Sequence, residues 1–257
     1  MGFSIAITGK GGTGKTTLAG LIVSSLVKAE KVPVLAVDAD PNSCLDGVLG
    51  VESCASVGGV REEARDESAK GALAGIARRD WLELKIAECL VEAEGFDLIA
   101  MGRPEGPGCY CYANNVLRDV IAAIAKNYPF MVIDNEAGLE NLSRRIVQRV
   151  DLLIMVADAS RRGIETLARL YELAREMKIE FGKSAAMINR MRGARLPDES
   201  RALLSRIPLD TVLYLPENDD LARWGEEGRS LFELPGDNAV VRELRAYLLD
   251  HVISGAR

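Results

Sequence analysis

Eight consecutive residues near the start of the chain carry the clearest chemistry. Gly9-Lys10-Gly11-Gly12-Thr13-Gly14-Lys15-Thr16 fits the spacing G-x-x-x-x-G-K-[ST], and Thr17 follows it. Glycines at these places let the backbone approach phosphate oxygens closely, and unpaired N–H groups at a helix start point at an anion. Lys15 supplies a point charge for β- and γ-phosphates, and the Thr16 hydroxyl is a ligand type for Mg²⁺. The bland alternative is a glycine-rich turn without a ligand. The complete match argues against it, as does its setting between the apolar run Phe3 to Thr8 and the helically spaced Leu18 to Val27.

Carboxylates close two further apolar runs. Val37-Asp38-Ala39-Asp40-Pro41 places two acids at a strand end, where they are costly unless they meet a metal, donors or water. Pro41 stops the strand; taken alone, the string is also compatible with an Asp-Pro turn and capping carboxylates. Asp134 ends Phe130-Met131-Val132-Ile133, the usual position of a second Mg²⁺ contact in nucleotide hydrolases, and Gly138 lies four residues on. Glu136 reads as a helix N-terminal charge.

The doubled lysine, GKGG with Lys10 beside Gly9, resembles the deviant phosphate loop of a family of ATPases. That family includes cell-division and plasmid-partition ATPases, arsenite-pump ATPases and the nitrogenase iron protein. The resemblance implies a nucleotide-sandwich homodimer in which Lys10 reaches the partner's nucleotide. It also implies catalytic roles for Lys10, Lys15 and Asp40, with Asp40 orienting the attacking water. Thr16, Asp38 and Asp134 would hold Mg²⁺, and the Gly138 N–H would sense the γ-phosphate. Asn189, Pro216 and Asn218 correspond to places where relatives hold adenine. The guanine signature Asn-Lys-x-Asp is absent, since positions 190 and 192 are arginine, so ATP and ADP are the expected nucleotides. No histidine lies near these motifs, and slow, switch-type hydrolysis is expected.

Five cysteines occur: Cys44, Cys54, Cys89, Cys109 and Cys111. An odd number argues against a disulfide framework. Cys89 falls in a helical apolar pattern and reads as a buried hydrophobe, as does Cys44, while His251 reads as a surface residue. Cys109-Tyr110-Cys111 can turn two thiols to one soft or borderline metal, filling two of four tetrahedral positions. A two-fold dimer would supply the other two. The string GRPEGPGCYCYANNVLR, residues 102 to 118, resembles the nickel-insertion ATPases that mature carbon monoxide dehydrogenase, and residues 38 to 50 resemble their first switch. That resemblance implies Ni²⁺, or Zn²⁺ in its place, on Cys109 and Cys111, with carbon monoxide dehydrogenase as client. An iron–sulfur ATPase like the nitrogenase iron protein is a competing reading, but that family takes one cysteine from the second switch and residues 134 to 138 hold none. A positioning or partition ATPase is the other; it leaves Cys109 and Cys111 idle.

The elements needed to hold these residues follow from the hydrophobic pattern. Strands are expected at Val32 to Val37, Asp97 to Met101, Phe130 to Ile133, Leu152 to Val156, Ala185 to Ile188 and Val212 to Leu215. Helices are expected over about 60–94, 116–125, 140–149, 162–177 and 239–252. Such alternation gives an α/β fold, a single P-loop NTPase domain over 1–257, with a mostly parallel central sheet and helices on both faces. Ligands then bind at the carboxyl ends of the strands. Net charge is −6 with a sequence pI near 5.1, which argues against a nucleic-acid partner. The cluster Arg190, Arg192, Arg195, Arg201 and Arg206 reads first as a solvated face. No apolar run reaches the roughly eighteen residues of a membrane span, and no leader precedes the first strand, so a cytoplasmic protein without a membrane partner is expected.

Overall fold

The computed structural model describes residues 2–53, 55–60, 63, 78–102, 119–139 and 149–254. Its strands are β1 (Phe3–Gly9), β2 (Val34–Ala39), β3 (Leu90–Ala93), β4 (Phe96–Ala100), β5 (Phe130–Asn135), β6 (Arg149–Asp158), β7 (Glu180–Met191) and β8 (Thr211–Pro216). They form one sheet in the order β3-β4-β2-β5-β1-β6-β7-β8. Every neighbouring pair is parallel except β3–β4.

The α-helices are α1 (Lys15–Lys28), α2 (Leu45–Leu49), α3 (Arg78–Ala87), α4 (Arg161–Glu176), α5 (Asp198–Leu204), α6 (Asp219–Glu226) and α7 (Ala239–Leu248). Residues 57–60 and 119–124 are helical as well. Strand alternation divides the apolar side chains between two cores. Leu35 and Val37, Met131 and Ile133, and Leu153 and Met155 face one layer, with α3, residues 119–124, α4 and α5. Ile5 and Ile7, Val132, and Ile154 and Val156 face the other, with α1, α2 and α7. The helices therefore cover both faces, and the central strands are buried on both sides, as continuous Val/Ile/Leu runs demand.

Two helix expectations need correction. Within 60–94, the described helix is α3, and Leu90–Ala93 is an antiparallel edge strand instead. Glu94-Gly95 turns the chain: Gly95 has φ +83, and an added Cβ would lie 2.7 Å from a Val27 methyl carbon. Of 140–149, Arg149 opens β6, and the remainder lies outside the described residues. Helices α2, α5 and α6 were not expected from the pattern because they are short.

Candidate functional site

The phosphate loop joins β1 to α1 at the carboxyl edge of the sheet. Gly14 precedes the first residue of α1 with φ +94, and no side chain caps that helix start. An added Cβ there would meet the Asn189 amide nitrogen at 2.6 Å, so glycine is required both by conformation and by space. The first turn of α1 thus offers backbone N–H groups outward, where an anion is favoured. Lys15 is 7% exposed, and its ammonium bends back to the Lys10 carbonyl at 3.4 Å. The Thr13 hydroxyl donates to the same carbonyl at 2.8 Å. Lys10, Gly11 and Gly12 are exposed, while Thr16 and Thr17 are half-buried in the first turn.

The carboxylates stand on neighbouring strands. Asp38 of β2 and Asp134 of β5 are register partners, each 1% exposed. Asp38 accepts from the backbone N–H groups of Asp40 (3.0 Å) and Leu45 (2.9 Å). Burial nevertheless pushes it up to about 6, because desolvation outweighs those two donors. Among the described residues, neither Asp134 oxygen has a hydrogen-bond partner. Burial lifts Asp134 to about 7; the Thr16 hydroxyl and the Lys15 charge favour the ionised form without reversing the rise. The hydroxyl is close enough to act electrostatically but falls short of hydrogen-bond geometry. An orphaned, desolvated carboxylate facing Thr16 beside a second carboxylate is a donor set that fits Mg²⁺. Asp40 lies one residue outside β2, half-buried, and its Oδ1 accepts from the Asn42 backbone at 2.9 Å and side chain at 3.0 Å.

The segment Asp134 to Gly138, expected to act as a second switch, is tied to β1. The Asn135 amide donates to the Ile7 carbonyl at 2.9 Å, and the Thr8 hydroxyl donates to the Gly138 carbonyl. Sequence reasoning missed Thr8 and Asn135. A hydroxyl inside an otherwise apolar strand was the available signal, since such a group needs a partner when buried.

The residues expected at the base have structural partners here. The Asn189 amide donates to the Thr13 carbonyl at 2.9 Å, and its oxygen accepts from the Arg190 N–H at 3.0 Å. Arg190, at φ +57 beside a register shift in β7, reaches the Gly12 carbonyl at 3.2 Å. Pro216 ends β8, and the Asn218 oxygen caps α6 through Leu221 (2.8 Å) while accepting from Asn238 (2.9 Å). In the arginine cluster, Arg192 grips Glu217 with two bonds of 2.8 and 3.1 Å, and Arg201 pairs with Asp198. These are exposed pairs on a solvated face.

Cys89 is buried as expected, and burial pushes its thiol up to about 11. Cys44 is exposed, which corrects the expectation of a buried thiol. It begins α2 in the first-switch loop, where the chain turns out to solvent. Partial burial, then Asp38, Asp40, Asp46 and Asp134, hold its thiol above the ordinary range. His251 packs its ring against Tyr247 at 4.8 Å and is half-buried. Cys54, Cys109 and Cys111 lie outside the described residues. No helix among those described is long and apolar enough to cross a membrane.

Residues 4–232 match the CobQ/CobB/MinD/ParA nucleotide binding domain family. An uncharacterised ATP-binding protein of Methanocaldococcus jannaschii is 41% identical across 93% of this chain and 94% of its own length. The carbon monoxide dehydrogenase accessory protein CooC of Rhodospirillum rubrum is 31% identical across 68% of this chain and 70% of its own. Two solved structures share the fold at lower identity. A ParA family ATPase from Chlorobium tepidum superposes with TM-score 0.72 at 17% identity, covering 96% of this chain and 98% of that one. The septum site-determining protein MinD of Pyrococcus horikoshii, complexed with Mg-ADP, gives 0.69 at 20% identity, covering 99% and 98%.

Proposed function

The chain belongs to the CobQ/CobB/MinD/ParA nucleotide-binding family, and from that premise we propose that it is an ATP-hydrolysing nickel metallochaperone acting as a nucleotide-dependent homodimer. Its client would be carbon monoxide dehydrogenase. The observation that carries the reading is the Cys109-Tyr110-Cys111 string in a chain similar to a carbon monoxide dehydrogenase accessory protein. A second observation supports a link between nucleotide and metal. The Met101 N–H donates to the Asp38 carbonyl at 2.8 Å, which puts the residue after β4, eight positions before Cys109 in sequence, beside a buried carboxylate of the nucleotide site.

The mechanism follows from the chain's own groups. Backbone N–H groups from Gly9 to Thr17 and the Lys15 ammonium would hold the phosphates, while Asn189 and Pro216 border the place for the base. Thr16, Asp38 and Asp134 would hold Mg²⁺, which when bound neutralises charge shared by the β- and γ-phosphate oxygens. Asp40, on its half-exposed loop, would orient the attacking water. Exposed Lys10 is available to the nucleotide of a second copy. Gly138 would register the γ-phosphate, and its loss on hydrolysis would alter the dimer geometry on which a shared Cys₄ nickel site depends.

Nickel stoichiometry on reduced, anaerobic protein tests this, with dimer mass recorded beside the Cys109→Ser/Cys111→Ser double variant. About one nickel per two chains, lost in the folded variant, is expected for a shared four-thiolate site. The absence of cysteine-dependent nickel would reduce the protein to a dimeric switch ATPase, with a ParA- or MinD-like positioning role as the alternative reading.

A further inference from the structure

We propose that Thr8 and Asn135 are positioning residues that convert the second switch into a hinge pivoting on strand β1. This rests on the switch-ATPase part of the reading above and adds to it the means by which Gly138 moves. Consecutive residues of β1 hold both ends of the segment: the Ile7 carbonyl accepts from the Asn135 amide at 2.9 Å, and the Thr8 hydroxyl donates to the Gly138 carbonyl. Thr8 is 0% exposed and Asn135 is 2% exposed, so neither group can exchange its partner for bulk water. Leu139, 1% exposed, sets the next side chain into the core. Between these anchors only Glu136 and Ala137 are unpinned, half-buried and exposed respectively.

The consequence is geometric. A carbonyl and the following N–H share one rigid plane, so the Thr8 bond and Leu139 fix the peptide on the far side of Gly138. The Gly138 N–H belongs to the preceding peptide, which is redirected by coupled rotation about ψ of the unpinned Ala137 and φ of Gly138. Gly138 sits at φ +104, and among the described residues no atom lies within 4 Å of an added Cβ, so the positive φ, not a close approach by those residues, calls for glycine there. A γ-phosphate would swing this one peptide about a fixed carbonyl, and the segment would not have to melt.

Thr8→Val keeps the shape of the side chain and removes the tether; Thr8→Ser keeps the hydroxyl. Each is measured for kcat and for binding of ADP and of AMPPNP, with Gly138→Ala alongside. In Thr8→Val the preference for AMPPNP over ADP and kcat should each fall about tenfold, the scale of one buried hydrogen bond, while ADP affinity stays within about twofold. Thr8→Ser should return all three to within about twofold of wild type. If Gly138→Ala disturbs AMPPNP preference and Thr8→Val does not, the pivot is wrong and the switch stands. Equal loss of ADP and AMPPNP binding in Thr8→Val would also overturn the pivot, as general damage. Normal behaviour of Gly138→Ala would remove the second switch and the pivot together.

Discussion

Replacing Asp134 by asparagine should stabilise the nucleotide-free protein at pH 8 and do so clearly less at pH 5. Burial, with the fields of Asp38 and Asp40, lifts this carboxyl from 3.8 to about 7. Below 3.8 it is protonated folded or unfolded, and it contributes nothing. Between 3.8 and about 7 the unfolded chain releases a proton that the folded chain retains, so stability falls as pH rises. Above about 7 the full penalty is present. A rise of this size corresponds to ~4 kcal/mol at 1.36 kcal/mol per unit. Asparagine brings its own buried polar group, whose desolvation offsets part of this, so a net gain of ~2 kcal/mol is expected, or about 4–8 °C in Tm for a chain of this size. Thermal unfolding of both proteins at pH 5 and pH 8, without metal and then with MgADP, measures it. Ligand should reverse the order, because wild type gains Mg²⁺-dependent stabilisation that the variant lacks. A variant less stable than wild type at pH 8 without metal, or equally stabilised at both pH values, would refute the claim that Asp134 is a desolvated carboxylate awaiting a cation.

Asp40→Ala should bind ATP within about threefold of wild type yet turn it over about a hundredfold more slowly, since a water-orienting carboxylate contributes to the transition state alone; single-turnover phosphate release reads this directly. Gly14→Ala combines φ +94 with a 2.6 Å approach to the Asn189 amide, and should cost ~2 kcal/mol of stability and weaken ADP binding at least tenfold. Calorimetry and ADP titration report the two losses. Asn218→Ala removes the α6 cap and should lower Tm by about 2–4 °C while ADP affinity holds within twofold; a large affinity loss at constant Tm would return Asn218 to the base.

The carboxyl-edge placement of the site was legible because each motif closes its apolar strand: Gly9 is the last residue of β1, Asp38 and Asp40 flank the last residue of β2, and Asp134 stands at the end of β5. Periodicity fails where tertiary contacts decide. Leu90–Ala93 becomes an edge strand through pairing with β4, while its own residues read equally well as the tail of α3. The partners of Asn189 could not be read at all, since Thr13 lies 176 positions away. The cap at Asn218 was readable, because Asn before Asp219 and Asp220 is a helix-start signature. The same asparagine also matches a base-binding position, so its sequence context carries two competing signals. Cys44 illustrates the opposite error: a small apolar-like thiol beside Leu45 suggests burial, yet the loop after Pro41 carries it to the surface.

The bonds from Asn189 and Arg190 to the phosphate loop bear on how nucleotide binding is driven. Each peptide is trans, so drawing the Thr13 carbonyl toward Asn189 turns the Gly14 N–H the opposite way, into the concavity. The Gly12 carbonyl is held by Arg190 while the Thr13 N–H donates to the Lys10 carbonyl at 3.4 Å, so both sides of that peptide are pinned. The cradle is therefore set before an anion arrives. Association need not freeze a glycine-rich loop, so its entropy should be less unfavourable than for a loop that orders on binding. Residues early in the last third of the chain thus govern how tightly its first twenty hold a phosphate, and drift at either end would have to be matched at the other.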